Sequence, residues 1–365
     1  MGLPDHIDVL LPRLHKLTVR KCDLVCLPKS FASLSCLQTL VLYSCGLVTL
    51  PSNFGDLPAL KLLLLDQLPL SELPSSFFQL NSLESLFLAE CDKLPRRPAR
   101  FCGLTALKAF CITHSSFVLP EDVGALESLE ALMLTDYGSP FPASFTELSS
   151  LTSLELDNCE LGVQLPEALG ELTSLRELKI SVSHIRTLPV SLLQLTRFQT
   201  LRIIACSSLS EVPPSWICSW GLRGCRYCAL RKLSLDGVRM RCWPEESGRL
   251  PCLEQLERLR LSGTSELPNP LPLIPHLRHL ATRTLQENMA AALLQLRELE
   301  LNLGQNVEEL PGSILELTSL TSLTLEAHSL ASLPQGMSHL CLLRKLELIR
   351  CAALQHLPEC LSQLQ

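Results

Sequence analysis

Apolar positions recur along this chain on one frame. The stretch Leu34-Ser-Cys-Leu37-Gln-Thr-Leu40-Val-Leu42-Tyr-Ser-Cys45-Gly-Leu47-Val-Thr-Leu50-Pro51 reads L-x-x-L-x-x-L-x-L-x-x-C-x-L-x-x-L-P. The x-L-x-L-x part alternates with period two, so its leucines face one way and the intervening residues the other, as in a short strand. Such a pair recurs from Leu17/Val19 through Leu63/Leu65, Leu86/Leu88 and Phe110/Ile112 to Leu346/Leu348. A weaker copy lies near Leu280-Ala-Thr282. Punctuating prolines at 28, 51, 74, 98, 120, 142, 166, 189 and 213 stand 22 to 24 residues apart. Each Leu-Pro step suits the start of a partly helical segment, where proline's missing N–H costs little.

This is the period and pattern of a leucine-rich repeat. One repeat cannot bury its leucines alone, whereas stacked neighbours form a continuous core. The predicted fold class is α/β: a solenoid shaped as a right-handed curved horseshoe, with a parallel sheet on the concave face and short helical or irregular convex segments. We expect about 15 repeats forming a single domain over residues 1–365. The rhythm is irregular at 214–230 and at 269–296, and Gln286 to Leu296 has the composition of a helix former. Neither end carries a polar cap, so the ends are expected to be covered by something else or to belong to a larger architecture.

The slot after L-x-L-x-x holds Cys22, Cys45, Cys91, Cys159, Cys206 and Cys351, with Leu68, Tyr137, Val238, Gly304 and His328 as departures. Cysteine is a weak hydrogen-bonding partner and a good small hydrophobe. Looser loops are expected where Gly, Val or Leu replaces it.

Composition narrows the function. A net charge of −6 and a pI near 5.9 argue against nucleic-acid binding. No 18-residue apolar run and no signal-peptide pattern are present, and the 17 cysteines fall largely in the repeat frame, so reduced thiols in the cytoplasm are expected. No phosphate loop or catalytic motif occurs, the repeats fill the chain, and no cofactor is expected. Cys225-x-x-Cys228, with Cys218 and Cys242, offers zinc-type ligands but lacks a paired second C-x-x-C. It reads as a cysteine-rich loop, and no metal site is assigned. His276-x-x-His279 reads as packing or surface.

Outward strand positions are free of the core and therefore map a surface. Val41, Tyr43, Leu62, Leu64, Phe87, Ala89, Cys111 and Met133 make the early strands apolar there, which points to a protein ligand on the concave face. Later strands turn charged, and Arg258, Arg260 and Arg283 form a basic spot flanked by acids.

The phrases Leu165-Pro-Glu-Ala-Leu-Gly-Glu-Leu-Thr-Ser-Leu175 and Cys206-Ser-Ser-Leu209-Ser-Glu-Val-Pro213 resemble the repeat domain of plant intracellular disease-resistance proteins. The resemblance covers nearly the whole chain and implies a recognition or autoinhibitory module. Such a module is expected to bind a protein ligand, or a nucleotide-binding switch protein on a companion chain, without catalysis. The charge and the lack of an apolar run add that no nucleic acid or membrane partner is expected. The same cadence is similar to Ras-group-related signalling scaffolds, which is the alternative.

Overall fold

A computed structural model describes residues 2–95, 101–114, 117–160, 165–209, 229–238, 255–262, 274–285, 289 and 292–363. The cysteine- and tryptophan-rich stretch from 210 to 228, Cys242 and most of the 286–291 segment lie outside them. The chain forms two compact units. The first comprises Met1–Leu161 with Glu171–Leu178, and the second Gly162–Gly170 with Lys179–Gln365.

In the first unit, a short helix α1 (Ile7–Leu10) precedes β1 (Lys16–Cys22), β2 (Thr39–Cys45), β3 (Leu62–Asp66), β4 (Ser85–Ala89), β5 (Ala109–Thr113), β6 (Ala131–Thr135) and β7 (Ser153–Asp157). These seven strands pair in parallel, each with the next in the chain. The strand β8 (Glu177–Ser181) falls at the division. In the second unit, β9 (Thr200–Ile204), β10 (Lys232–Asp236), β11 (Arg258–Ser262), β12 (His279–Thr282), β13 (Glu298–Leu303), β14 (Ser322–Ala327) and β15 (Lys345–Ile349) do the same. This is the leucine-rich-repeat solenoid. Its fifteen strands sit where the L-x-L pairs predict them, including the weak one at Leu280.

The register explains the core. Leu40, Leu63, Leu86, Phe110, Leu132 and Leu154 align across β2 to β7 and are buried. The prolines open the other side of each repeat. Pro28, Pro74, Pro142, Pro189 and Pro311 have φ between −61° and −68° and lead into single 3₁₀ turns of five residues. The residue three after a repeat proline points inward. In the first unit these are Phe31, Phe54, Phe77, Phe101, Val123 and Phe145, all buried. Phe31, Phe54 and Phe77 stack, with centroids 6.4 and 6.1 Å apart. In the second unit Leu169, Leu192, Ile314 and Met337 take the position.

Most of the described strands leave the sheet by one device. The residue before the slot adopts positive φ, from Lys21 (49°), Ser44 (51°) and Gln67 (52°) to Arg350 (52°). This left-handed step breaks the alternation, so the inward residue is the slot residue, one position later than continued alternation would place it. In the second unit, β13 and β14 do without it. They run six residues, their alternation continues, and Leu303 and Ala327 go inward in place of Gly304 and His328.

The slot cysteines are hydrogen-bonded as well as packed. The Cys91 thiol donates to Ala89 O at 3.3 Å and Leu65 O at 3.6 Å, and Cys159 donates to Leu134 O at 3.3 Å and Asp157 O at 3.4 Å. Burial pushes both thiols up to about 11. Looser loops are the expectation at Leu68 and Val238, and the residues just after Val238 lie outside the described ones. Both side chains are buried and fill the slot as hydrophobes do, because its walls are apolar.

Candidate functional site

The outward residues of the first unit fall into three rows set by strand register. The middle row is Thr18, Val41, Leu64, Phe87, Cys111, Met133 and Glu155, one per strand from β1 to β7. Five consecutive apolar side chains span about 19 Å at the usual strand spacing. Of the residues the sequence singled out, Val41, Leu64, Phe87 and Met133 share this row. Leu62 lies in the row Thr39, Leu62, Ser85, Ala109, Ala131, and Tyr43 in the row Arg20, Tyr43, Asp66, Ala89, Thr113. Along β4 to β6 small residues flank the row, Ser85, Ala109 and Ala131 on one side and Ala89 and Thr113 on the other. Met133 is 37% exposed, and the other four are half-buried.

Charge borders this row. Lys61 and Lys108 each place Nζ 3.1 Å from the Glu84 carboxylate, just ahead of β4. Their hydrogen bonds, Lys108's first, hold Glu84 below the usual carboxylate range. At the other border a shallow cavity of about 400 Å³ is lined by Arg20, Lys21, Val41, Tyr43, Leu64 and Asp66. Partial burial there, with the charge of Glu90 added, raises the Asp66 carboxyl. Burial and then Glu155 push the Cys111 thiol to about 11, so within the row it behaves as a hydrophobe. Beyond the row, left-handed residues of successive repeats meet side by side. Gln67 donates to Glu90 at 2.9 Å, and Asp136 is hydrogen-bonded to both His114 and Asn158.

Arg258 and Arg260 stand on the outward face of the second unit. They line a cavity of about 330 Å³ with Arg202, Ile204, Lys232, Leu233, Ser234, Asp236 and His279. The basic spot is therefore built differently from the one read in the sequence, since Arg283 does not line it, while Arg202 and Lys232 do. Lateral register brings them in, with Arg202 beside Ser234 and Lys232 beside Arg258. Aligning outward residues strand by strand would have found them. His279 Nδ1 lies 2.9 Å from Glu298 Oε2. Cys218, Cys225, Cys228 and Cys242 lie outside the described residues.

No protein-family model matches the chain. Over 213 residues it is 31% identical to the human volume-regulated anion channel subunit LRRC8E, a match covering 54% of this chain and 25% of that protein. Over 252 residues it is 32% identical to the TMV resistance protein N of Nicotiana glutinosa, covering 65% of this chain and 21% of that protein. The matches thus span only about a quarter of these relatives' lengths. Among solved structures, a leucine-rich-repeat protein of Leptospira interrogans superposes with a TM-score of 0.74 at 22% identity, covering 100% of this chain and 91% of that one. No helix among the described residues is long and apolar enough to cross a membrane. With its parallel strands, inward leucines and slot residues in place, this chain is a leucine-rich-repeat protein whose repeats resemble those of plant intracellular disease-resistance proteins.

Proposed function

We propose that this chain is a non-catalytic protein-interaction module for ligand or effector recognition, or for autoinhibition, in plant-type defence signalling. The observation that carries the reading is the apolar row Val41, Leu64, Phe87, Cys111 and Met133, held in register on a face the core does not use. A folded chain keeps such a row facing outward when another molecule covers it. The partial likeness to the TMV resistance protein N supports the defence context. The occupant in this reading is a protein, either a ligand or a nucleotide-binding switch protein, in the cytoplasm.

Capture from plant cell extract with immobilised chain, followed by mass spectrometry, tests it. The wild type should retain a specific protein, and the double variant Leu64→Glu/Phe87→Glu should lose it while unfolding at an unchanged temperature. Equal capture by both would overturn this surface. Retention of a GTPase together with a phosphatase would assign the chain to the scaffold class instead.

A further inference from the structure

The second unit carries a separate feature, and the protein-binding row does not account for it. On β9 to β11, Arg202, Ser234 and Arg260 are lateral neighbours in one outward row, and Lys232 and Arg258 are neighbours in the next. Two arginines in one row are thus separated by a serine, which puts their backbones about 10 Å apart at two strand spacings. The serine side chain is too short to fill the gap, so it floors a pit with a cation on each side. Lys232 and Arg258 close a third side, and the cavity of about 330 Å³ opens over them.

Opposing charge is sparse within the pit. Asp236 is the one carboxylate lining it, and Ser262 Oγ is already hydrogen-bonded to Asp236. Glu300 reaches Arg260 only at 3.8 Å, with both side chains more than two-fifths exposed, and Glu298 is engaged by His279. Among the described residues, neither Lys232 nor Arg258 has an ion-pair partner. Lys232 and Arg258, without such partners, lie beside Arg202 and Arg260 in a lining that holds one carboxylate, so the lining carries a positive excess on a chain whose net charge is −6. Like charges gathered in neighbouring positions across a sheet repel one another. An incoming anion would relieve that repulsion.

We infer that this pit binds a phosphoryl group carried on a polypeptide, a phosphoserine or phosphothreonine. A phosphate near neutral pH bears close to two negative charges and three acceptor oxygens. Guanidinium forks bind such oxygens two at a time, and flanking arginines with a third cation at the side match a tetrahedral group. A carboxylate brings one charge and two oxygens, about half the charge of the phosphate. The open sheet face accommodates the peptide on which the group is carried. The site is independent of the apolar row, whose residues all belong to the first unit.

Fluorescence anisotropy with four probes of the same length tests the inference. The probes are a labelled Ser-containing peptide, its phosphoserine form, its Glu-substituted form and a single-stranded RNA oligonucleotide. The full chain should bind the phosphopeptide at least tenfold more tightly than each of the others. Arg202→Gln and Arg260→Gln should each weaken that binding roughly tenfold, the scale of a lost charge-assisted hydrogen bond. Ser234→Phe fills the pit without changing charge and should abolish phosphate selectivity with normal thermal unfolding. Leu64→Glu/Phe87→Glu should leave phosphopeptide affinity unchanged, which separates this site from the proposed protein-binding row. Equal affinity for the phosphoserine and Glu peptides, tighter binding of RNA, or full affinity in Ser234→Phe would each overturn the inference.

Discussion

The two units share an inner wall and differ on the outer one. Leu63, Leu65, Leu86 and Leu88 in the first are matched by Leu259, Leu261, Leu299 and Leu301 in the second, and all are buried. The side chains one position away have nothing in common. In the first unit the middle row runs Val41, Leu64, Phe87, Cys111 and Met133, and in the second the same row runs Arg202, Ser234, Arg260, Ala281 and Glu300. Folding acts on alternate residues only, because a strand hides one face and shows the other. What the hidden face requires is therefore uniform, and what the shown face carries is left to binding.

The comparison extends to the convex side, and predictions that break it can be ordered by size. The greatest loss is expected at the phenylalanine stack of the first unit. Phe54→Ala should lower stability by about 3–5 kcal/mol in chemical denaturation, since it opens a void between Phe31 and Phe77. Gly55→Ala comes next. A Cβ there would sit 1.7 Å from the Ser76 carbonyl oxygen, so the neighbouring turn must move, at a cost of about 1–3 kcal/mol in the same assay.

A smaller effect has the opposite sign. Val182 holds φ at +47° with its side chain 52% exposed, a conformation β-branched residues avoid. Val182→Asn should raise stability by about 1 kcal/mol, read as a higher melting temperature. The smallest effect sharpens the distinction between hidden and shown thiols. The folded Cys91 and Cys159 thiols are raised above the ordinary 9.0 to about 11, so their contribution is complete below pH 9 and is lost as pH rises towards 11. In iodoacetamide labelling at mildly alkaline pH, Cys26, Cys102 and Cys341, which are exposed, should react first. Cys91 and Cys159 should react only on unfolding.

Much of the fold was legible because the hydrophobic effect is periodic. Every L-x-L pair became a strand, and the slot cysteines lie where the frame put them. The left-handed step before the slot was not legible. It is made by lysine, serine, glutamate, histidine and valine as well as by Asn158 and Asp136, so no residue type signals it. Nor were the altered strand ends at Leu303 and Ala327, where a slot and a continued alternation differ by one position. The apolar row was legible residue by residue, since its repeats are regular. The basic pit was only half legible. Thr200, Lys232, Arg258 and His279 are lateral neighbours at spacings of 32, 26 and 21 residues, so regular counting misses them.

The central claim is that adjacent residues of one strand serve different ends, one holding the fold and the next presenting a surface. Equilibrium unfolding of Leu65→Asp beside Leu64→Asp tests it most directly, because the two differ only in which way they face. The account predicts that the buried Leu65 site loses more than about 4 kcal/mol or fails to fold, as an unpaired charge in a packed core requires, while Leu64→Asp stays within about 1 kcal/mol of wild type. Comparable losses at both positions would contradict it.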